Sequence, residues 1–405
     1  MAVKPGYKQT EVGVVPEQWD VSTFSELFNI TAGADFDPKR SQSFQDSIHP
    51  YPIYSNALTN SGLYGYCSYA DHPANSITIT ARGMVGRANF RDHPYTAIGR
   101  VLVLNPKCEM AGFYFAQVIN NSVKFANEST GVPQLTAPQI SKYRLPVPPP
   151  EEQQAIATTL NDVDALLGAL ELLIAKKRYL KQAAMQQLLS GQIRLPGFHG
   201  EWEFVQVQDV ISGFFCGPSP TCEERNIQDE SEWGVLKTTA ATKENGWDWT
   251  KHKTLPRVFW NKPQIELRTG DVIVTKAGPR HRVGVAAWVN YVPPRIIPSG
   301  KMIALRPRPN KVESLMLATA ISARDAQTYL DQRTTGMAES QVNFENTALL
   351  EAPIRIPRIE EQTAIAAVLT DMDAELTSLE QRLVKTRALK QGMMQELLTG
   401  RTRLL

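Results

Sequence analysis

The sequence predicts an α+β chain in which two mixed α/β globular domains are separated by two long helices, paired antiparallel as a coiled coil in a pseudo-twofold circular arrangement. Three observations predict it. Residues Glu151 to Leu195 return at Glu360 to Leu404, a shift of 209 positions, with about 25 of the 45 positions identical. Both copies carry apolar residues alternately four and three apart, the spacing of a coiled-coil seam. Each copy follows a longer stretch that opens on a tryptophan, Trp19 in the first half and Trp202 in the second.

The helix ends are written in the repeat. Both copies begin Glu-Glu-Gln and finish Leu-Leu-(Ser/Thr)-Gly; acids favour the positive first turn, and glycine accepts the left-handed closing position. Between them, Ile156, Leu160, Val163, Leu167, Leu170 and Ile174 form one seam, and Ile365, Leu369, Met372, Leu376, Leu379 and Leu383 form the other. Neither helix buries its seam alone, and its duplicate is the ready apolar partner. A globular stretch precedes each copy and must be accommodated, so the pair is expected to be antiparallel.

Taken in order, the expected domains are residues 1–150, a first helix over 151–190, a second globular domain over 191–350 and a second helix over 351–405. Trp19-Asp20 followed by Phe24 and Leu27 is matched by Trp202-Glu203 followed by Val207 and Val210. Proline-rich joints, Leu145 to Pro150 and Pro353 to Pro357, read as stiff leads into the helices. The linker Gly191 to Trp202 has its counterpart divided between the two termini, which predicts that residue 405 lies close to residue 1. Ser76 to Thr80 is an alternating strand that breaks into a loop with Arg82, Gly83, Gly86 and Arg87. Asp271 to Thr275 leads in the same way into Lys276, Gly278, Arg280, Arg282 and Gly284.

Composition is that of an ordinary globular protein, 42% apolar and 21% charged, and no run approaches a membrane span. The opening residues lack the apolar core of a signal peptide, so a cytoplasmic location is expected. Four scattered cysteines and six histidines signal neither a disulfide framework nor a zinc site. The net charge of +2 conceals a local bias: Lys251 to Arg308 holds twelve Lys or Arg against Glu266 and Asp271, and Lys39 to Arg144 holds ten against five acids. Tyr51, Tyr54, Tyr64, Tyr66, Trp247, Trp249 and Trp260 are interleaved with these cations, and together they point to a nucleic-acid partner.

Catalytic patterns are missing. The Pro-Pro pairs follow Val147 and Val292, unlike the Asn/Asp-Pro-Pro-Tyr/Phe of a DNA methyltransferase, and no phosphate loop of an ATP motor is present. A nuclease site at Asp271 and Lys276 would need an acid where Val274 stands.

Two variable domains alternating with two near-identical Glu-Glu-Gln helices resemble the specificity (S, HsdS) subunit of type I restriction-modification enzymes. The resemblance covers essentially the whole chain. Tyr7 to Gly13, Tyr51 to Asn56, Thr80 to Gly83 and Lys276 to Arg280 also look like target-recognition-domain sequence. It implies a DNA reader without chemistry of its own, binding two methyltransferase (M) subunits and, through them, restriction (R) subunits. S-adenosylmethionine, ATP and magnesium would belong to those partners. Two unlike domains on a rod should read two unlike half-sites across an unread gap. Arginine suits guanine and asparagine suits adenine, so Arg82, Arg87, Asn89, Arg280 and Arg282 are the base-reading candidates. Lys237, Lys276, Arg295 and Lys301 are the phosphate candidates. A stand-alone DNA-binding regulator and a pure coiled-coil scaffold are the competing readings; the first needs no second copy of the helix, the second no basic loops.

Overall fold

The computed structural model describes residues 3–126, 132–243 and 246–404. The first long helix runs from Pro150 to Leu189 and the second from Ile359 to Leu397. At 1.5 Å per residue each is a rod of about 60 Å. The second helix starts later than the expected residue 351, because Pro353–Ile356 is a strand. The chain consists of two compact units, Met1–Leu173 with Leu379–Leu405, and Ile174–Ser378. Each unit therefore contains one globular domain and one end of both helices.

In the first unit, β1 (Tyr7–Thr10) and β2 (Gly13–Pro16) form a hairpin, and β3 (Asp20–Thr23) leads to a one-turn helix closed by a Thr23–Glu26 capping box. The main strands are β4 (Phe28–Ala32), β5 (Ser41–Gln42), β6 (Tyr51–Tyr54), β7 (Leu63–Cys67), β8 (Ser76–Thr80), β9 (Ala88–Arg91), β10 (Thr96–Ala97) and β11 (Val101–Pro106). They form two four-stranded sheets, ordered β4-β11-β8-β9 and β10-β6-β7-β5. After a helix over Gly112–Ser122, β12 (Arg144–Val147) pairs antiparallel with β3, so the proline-rich lead is a paired strand. All five residues of β8 are buried, although their alternation suggested one polar face. That face is satisfied internally: Ser76 Oγ lies 2.8 Å from Tyr95 Oη, and Arg91 Nε donates to Thr78 Oγ1 at 3.0 Å.

The second unit repeats the plan. Its strands are β13 (Glu203–Gln206), β14 (Ile211–Phe215), β15 (Gly234–Leu236), β16 (Ala241–Thr242), β17 (Gly246–Trp247), β18 (His252–Thr254), β19 (Val272–Thr275), β20 (Ala277–Gly278), β21 (Ala286–Trp288), β22 (Ile296–Ile297), β23 (Met302–Pro307), β24 (Thr335–Ala338), β25 (Gln341–Asn343) and β26 (Pro353–Ile356). The order β14-β23-β19-β21 reproduces β4-β11-β8-β9, and β18-β15-β22 reproduces β7-β6-β10. β13 pairs with β26 as β3 pairs with β12.

Within each unit the helix ends pair antiparallel. In the first, Lys390 Nζ lies 2.6 Å from Asp164 Oδ1, and Arg387 bonds Glu171 at 2.5 Å. In the second, Lys181 pairs with Asp373, and Lys177 lies 2.7 Å from Glu375. Asp164 and Lys181 are the repeat counterparts of Asp373 and Lys390. A duplicated antiparallel pair makes one interhelical bond twice, which accounts for the identity of these charged positions in both copies. Along the seam, Ile156, Leu160, Leu170, Ile174, Ile365, Leu369 and Leu376 are buried, and Val163, Leu167, Met372, Leu379 and Leu383 are half-buried.

The Glu-Glu-Gln ends do more than meet a helix dipole. Glu152 is 1% exposed and receives Arg403 through two bonds, Nε to Oε1 at 2.6 Å and Nη2 to Oε2 at 2.8 Å. Glu361 is 2% exposed and receives Arg194 in the same manner at 2.5 and 2.6 Å. These carboxylates raise the pKa of both arginines above the ordinary guanidinium value. Gln153 accepts from Ala111 N and donates to Pro148 O, while Gln362 accepts from Glu313 N and donates to Pro357 O. Each helix start is thus fastened to its own globular domain.

Residues 1 and 405 lie outside the described residues, but their neighbours meet: Tyr7 Oη donates to Gly400 O at 3.1 Å. The closing glycines Gly191 and Gly400 have φ of +72° and +70°. A Cβ on Gly400 would approach Pro16 Cδ to 2.5 Å and Trp19 Cζ2 to 3.1 Å.

The two tryptophans differ. Trp19 Nε1 donates to Glu152 Oε2 at 2.8 Å, whereas buried Trp202 Nε1 has no hydrogen-bond partner among the described residues. Trp19→Phe is therefore expected to destabilise the first unit by about 1–3 kcal/mol beyond lost packing. Trp202→Phe should cost the second unit packing alone. Hydrogen exchange resolved by unit measures both, and equal losses would contradict the assignment.

Candidate nucleic-acid interface

In the first unit β6 and β10 are parallel neighbours, so the segments that follow them, Ser55–Asn56 and Ile98–Arg100, leave from the same sheet edge. The β8 to β9 loop joins them there. Asn56 Oδ1 accepts from Ala81 N at 2.6 Å and Arg82 N at 3.3 Å, and its Nδ2 donates to Arg82 O. A cleft results, lined by Asn56, Tyr64, Arg82, Gly83, Arg100 and Val132 among others. Tyr64 and Val132 expose 59% and 57% of their surface in it. Arg82 and Arg100 are exposed, and no acid pairs with them among the described residues.

Arg87 and Asn89 lie elsewhere. They line a larger cleft with Phe90, Arg91 and the helix residues Glu151 and Thr158. The three candidates of the first domain therefore occupy two clefts, Arg82 in one and the other two in the second.

In the second unit the same edge is rebuilt with other residues. β15 and β22 are parallel, and Lys237 and Pro298–Lys301 follow them. Lys276 N donates to Lys301 O at 2.9 Å, as Ala81 N donates to Arg100 O at 3.1 Å. Phe344 N donates to Lys276 O, as Leu135 N does to Ala81 O. These bonds align Lys301 with Arg100, Lys276 with Ala81 and Ala277 with Arg82.

The remaining candidates of this unit differ in what they touch. Lys301 is exposed at the edge and Arg282 is half-buried. Lys276 Nζ donates to Asn346 Oδ1 at 2.9 Å. Arg280 Nε lies 3.1 Å from Glu339 Oε2, and Lys237 Nζ lies 3.4 Å from Glu224 Oε2. Arg295 donates through Nη1 to Glu230 O and through its backbone N to Glu266 Oε1, at a φ of +64°. Those bonds hold a strained turn. Asp271 forms a two-pronged pair with Arg306 at 2.9 and 3.0 Å and accepts from Arg268 N, so this buried acid is structural.

Most interleaved aromatics are scaffold. Tyr54 lies buried with the Arg91 guanidinium 3.4 Å from its ring centroid, and burial raises its pKa. Trp247 and Trp260 donate their indole N–H to the carbonyls of Tyr291 and Leu255. Tyr64 alone of the seven is exposed.

Sequence reasoning missed Arg100, Asn56 and the Arg194 and Arg403 pairs. The arginines carried a signal, because both fall on an identical position of the repeat. Asn56 ends a segment that resembles recognition-domain sequence, but neither its role nor that of Arg100 was signalled, since only the sheet edge brings them beside Arg82.

The family model of the type I restriction modification DNA specificity domain matches residues 16–176 and again 199–386. The chain belongs to this family. It is 31% identical over 182 residues to the EcoEI specificity subunit of Escherichia coli, covering 45% of this chain and 30% of that protein. It is 23% identical to the MjaVIII specificity subunit of Methanocaldococcus jannaschii, covering 72% of this chain and 69% of that one. In fold it is similar to the S subunit from M. genitalium, with a TM-score of 0.54 at 14% identity over 98% of both chains. It is also similar to HsdS from Thermoanaerobacter tengcongensis, with a TM-score of 0.51 at 15% identity over 95% of this chain and 98% of that one.

Lys301, exposed, and Arg295, bonded within its turn, carry different expectations. Lys301→Ala should leave thermal stability unchanged and lower the salt slope of DNA binding by about one unit, evenly across sequences. Arg295→Ala should lower the melting temperature instead. The opposite assignment of the two effects in melting and salt-titration experiments would refute this division.

Proposed function

We propose that this chain is the DNA sequence-recognition subunit of a type I restriction-modification complex. Each globular domain reads one half of a bipartite, asymmetric site, and the helix pair sets the gap and docks methyltransferase subunits. The observation that carries the reading is a single scaffold edge built twice with different side chains: Asn56, Arg82 and Arg100 in one unit, Lys237, Ala277 and Lys301 in the other. Equal scaffolds give equal docking; unlike tips give unlike half-sites.

Arg82, Arg87, Asn89 and Arg282 are the base-reading positions, with Arg280 available once its pair with Glu339 opens. Lys301 contacts phosphate, with Lys237 and Lys276 beside it, while Arg295 acts through its turn. The seam residues Ile156 to Ile174 and Ile365 to Leu383 hold the spacing. The chain is non-catalytic in this reading. S-adenosylmethionine belongs to two M subunits, and ATP and magnesium to R subunits bound through them, in the cytoplasm where host DNA is methylated and phage DNA is cut. A stand-alone regulator is not favoured, because it would need no second copy of the helix and its ion pairs.

The reading is tested by spacing. Inserting four residues near Ala175 shifts one recognition domain by about one turn, 5.4 Å. At about 3.4 Å per base pair, the gap should lengthen by roughly one or two base pairs with both half-sites unchanged. The four-residue stutter is absorbed by local unwinding, whereas a two-residue insertion turns the seam outward and should cost solubility. Methylome mapping decides: active methylation with an unchanged gap would show that the helices do not set the spacing.

A further inference from the structure

The first unit contains a hydrogen-bonded chain that runs from its core to the exposed cleft. Arg91 is 4% exposed and donates through Nη2 to Ser61 O at 2.6 Å. This bond holds a turn in which Asn60 and Ser61 have φ of +48° and +52°, a left-handed conformation that asparagine tolerates and serine adopts less often. Gly62 O in that turn accepts from both Ser55 N and Ser55 Oγ, at 2.7 and 3.2 Å. The next residue, Asn56, uses its amide as a surrogate peptide: Oδ1 takes Ala81 N and Arg82 N, and Nδ2 gives to Arg82 O. Ala81 N also gives to Arg100 O, so one amide hydrogen ties Asn56, the start of the Arg82 loop and Arg100 together.

Two guanidinium groups thereby stand at neighbouring strand ends, both exposed, with no acid against either among the described residues. Two exposed cations lining one cleft make it positively charged, and an acceptor-rich partner such as a guanine edge or phosphate complements them. We propose that Asn56 is the specificity-positioning residue of the N-terminal domain, fixing Arg82 beside Arg100 as a two-guanidinium reader of one guanine-containing stretch of its half-site. Arg100 is the second member of that reader. The inference rests on the DNA-recognition reading above. The C-terminal domain has Lys237 where Asn56 stands and Ala277 where Arg82 stands, so it lacks the clamp and must read its half-site by other contacts.

The test is a selection from duplexes randomised across both half-sites, using the full chain in complex with its methyltransferase subunits. Asn56→Ala should relax base preference by about tenfold at the one or two positions that Arg82→Ala also relaxes, leaving the C-terminal half-site and the salt slope unchanged. Arg100→Ala, at an exposed residue, should relax a position adjoining them. The double variant Asn56→Ala with Arg82→Ala should lose no more than Arg82→Ala alone, since the clamp acts through that arginine. Base preference retained in Asn56→Ala, or affinity lost evenly over all sequences, overturns the inference while leaving the DNA-recognition reading intact. A wild-type complex that selects no bipartite site overturns that reading itself, and this inference with it. Should Asn56→Ala fail to fold, Arg82→Ala and Arg100→Ala decide: adjoining positions in one half-site support the reader, and separate or unaffected positions overturn it.

Discussion

A buried carboxylate gripped by a two-pronged arginine is the interaction on which each unit depends. Glu152 and Glu361 lie buried at the first turn of a long helix. Left alone, a carboxylate at such depth would cost several kcal/mol, and removing one partner of a buried pair typically costs ~3–5 kcal/mol. The partners Arg403 and Arg194 come from the segment just past the end of a long helix. Each pair therefore joins three parts of its unit: a helix start, the tail of a helix and, through the adjacent glutamine, the globular domain. A recognition surface mounted on such a joint has little freedom to tilt.

The joint also explains what the two units share and where they part. Strand order, the pairing that precedes each helix, the buried glutamine and the arginine pair are held in common. The divergence gathers at the edge where parallel strands end, far along the chain from the helix starts. There Asn56 and Lys237, Arg82 and Ala277, Arg100 and Lys301 occupy equivalent places. In the function proposed above, a scaffold that keeps its joint and varies its edge changes target without disturbing its spacing.

The helices, the antiparallel pairing and the presence of two globular domains were legible in the sequence, because a repeat with a seam must bury that seam on something. The domain interiors were legible only as fragments. Ser76 to Thr80 gave a correct strand, but its buried polar face could not be foreseen, since its satisfaction depends on Tyr95 and Arg91 from other strands. The site was less legible still. Arg295 is a phosphate candidate by charge, while its bonds to Glu230 and Glu266, which hold a turn, are not visible in the local sequence. Arg280 likewise has Glu339, a residue remote in sequence. Local charge identifies a basic stretch, whereas the acids that occupy individual cations arrive from elsewhere in the fold. Asn56 shows the converse: a residue without charge becomes important because topology places it against the Arg82 loop.

In the function proposed above, each domain reads its half-site independently on a common joint. The direct measurement is a chimera in which residues 20–147, between the first tryptophan and the first helix, are replaced by the corresponding segment of another family member with a known half-site. Methylated bases are then mapped genome-wide. One half-site should change to that of the donor, while the other half-site and the gap stay as they were. A chimera that methylates with both half-sites altered, or with the original half-site retained, would contradict it.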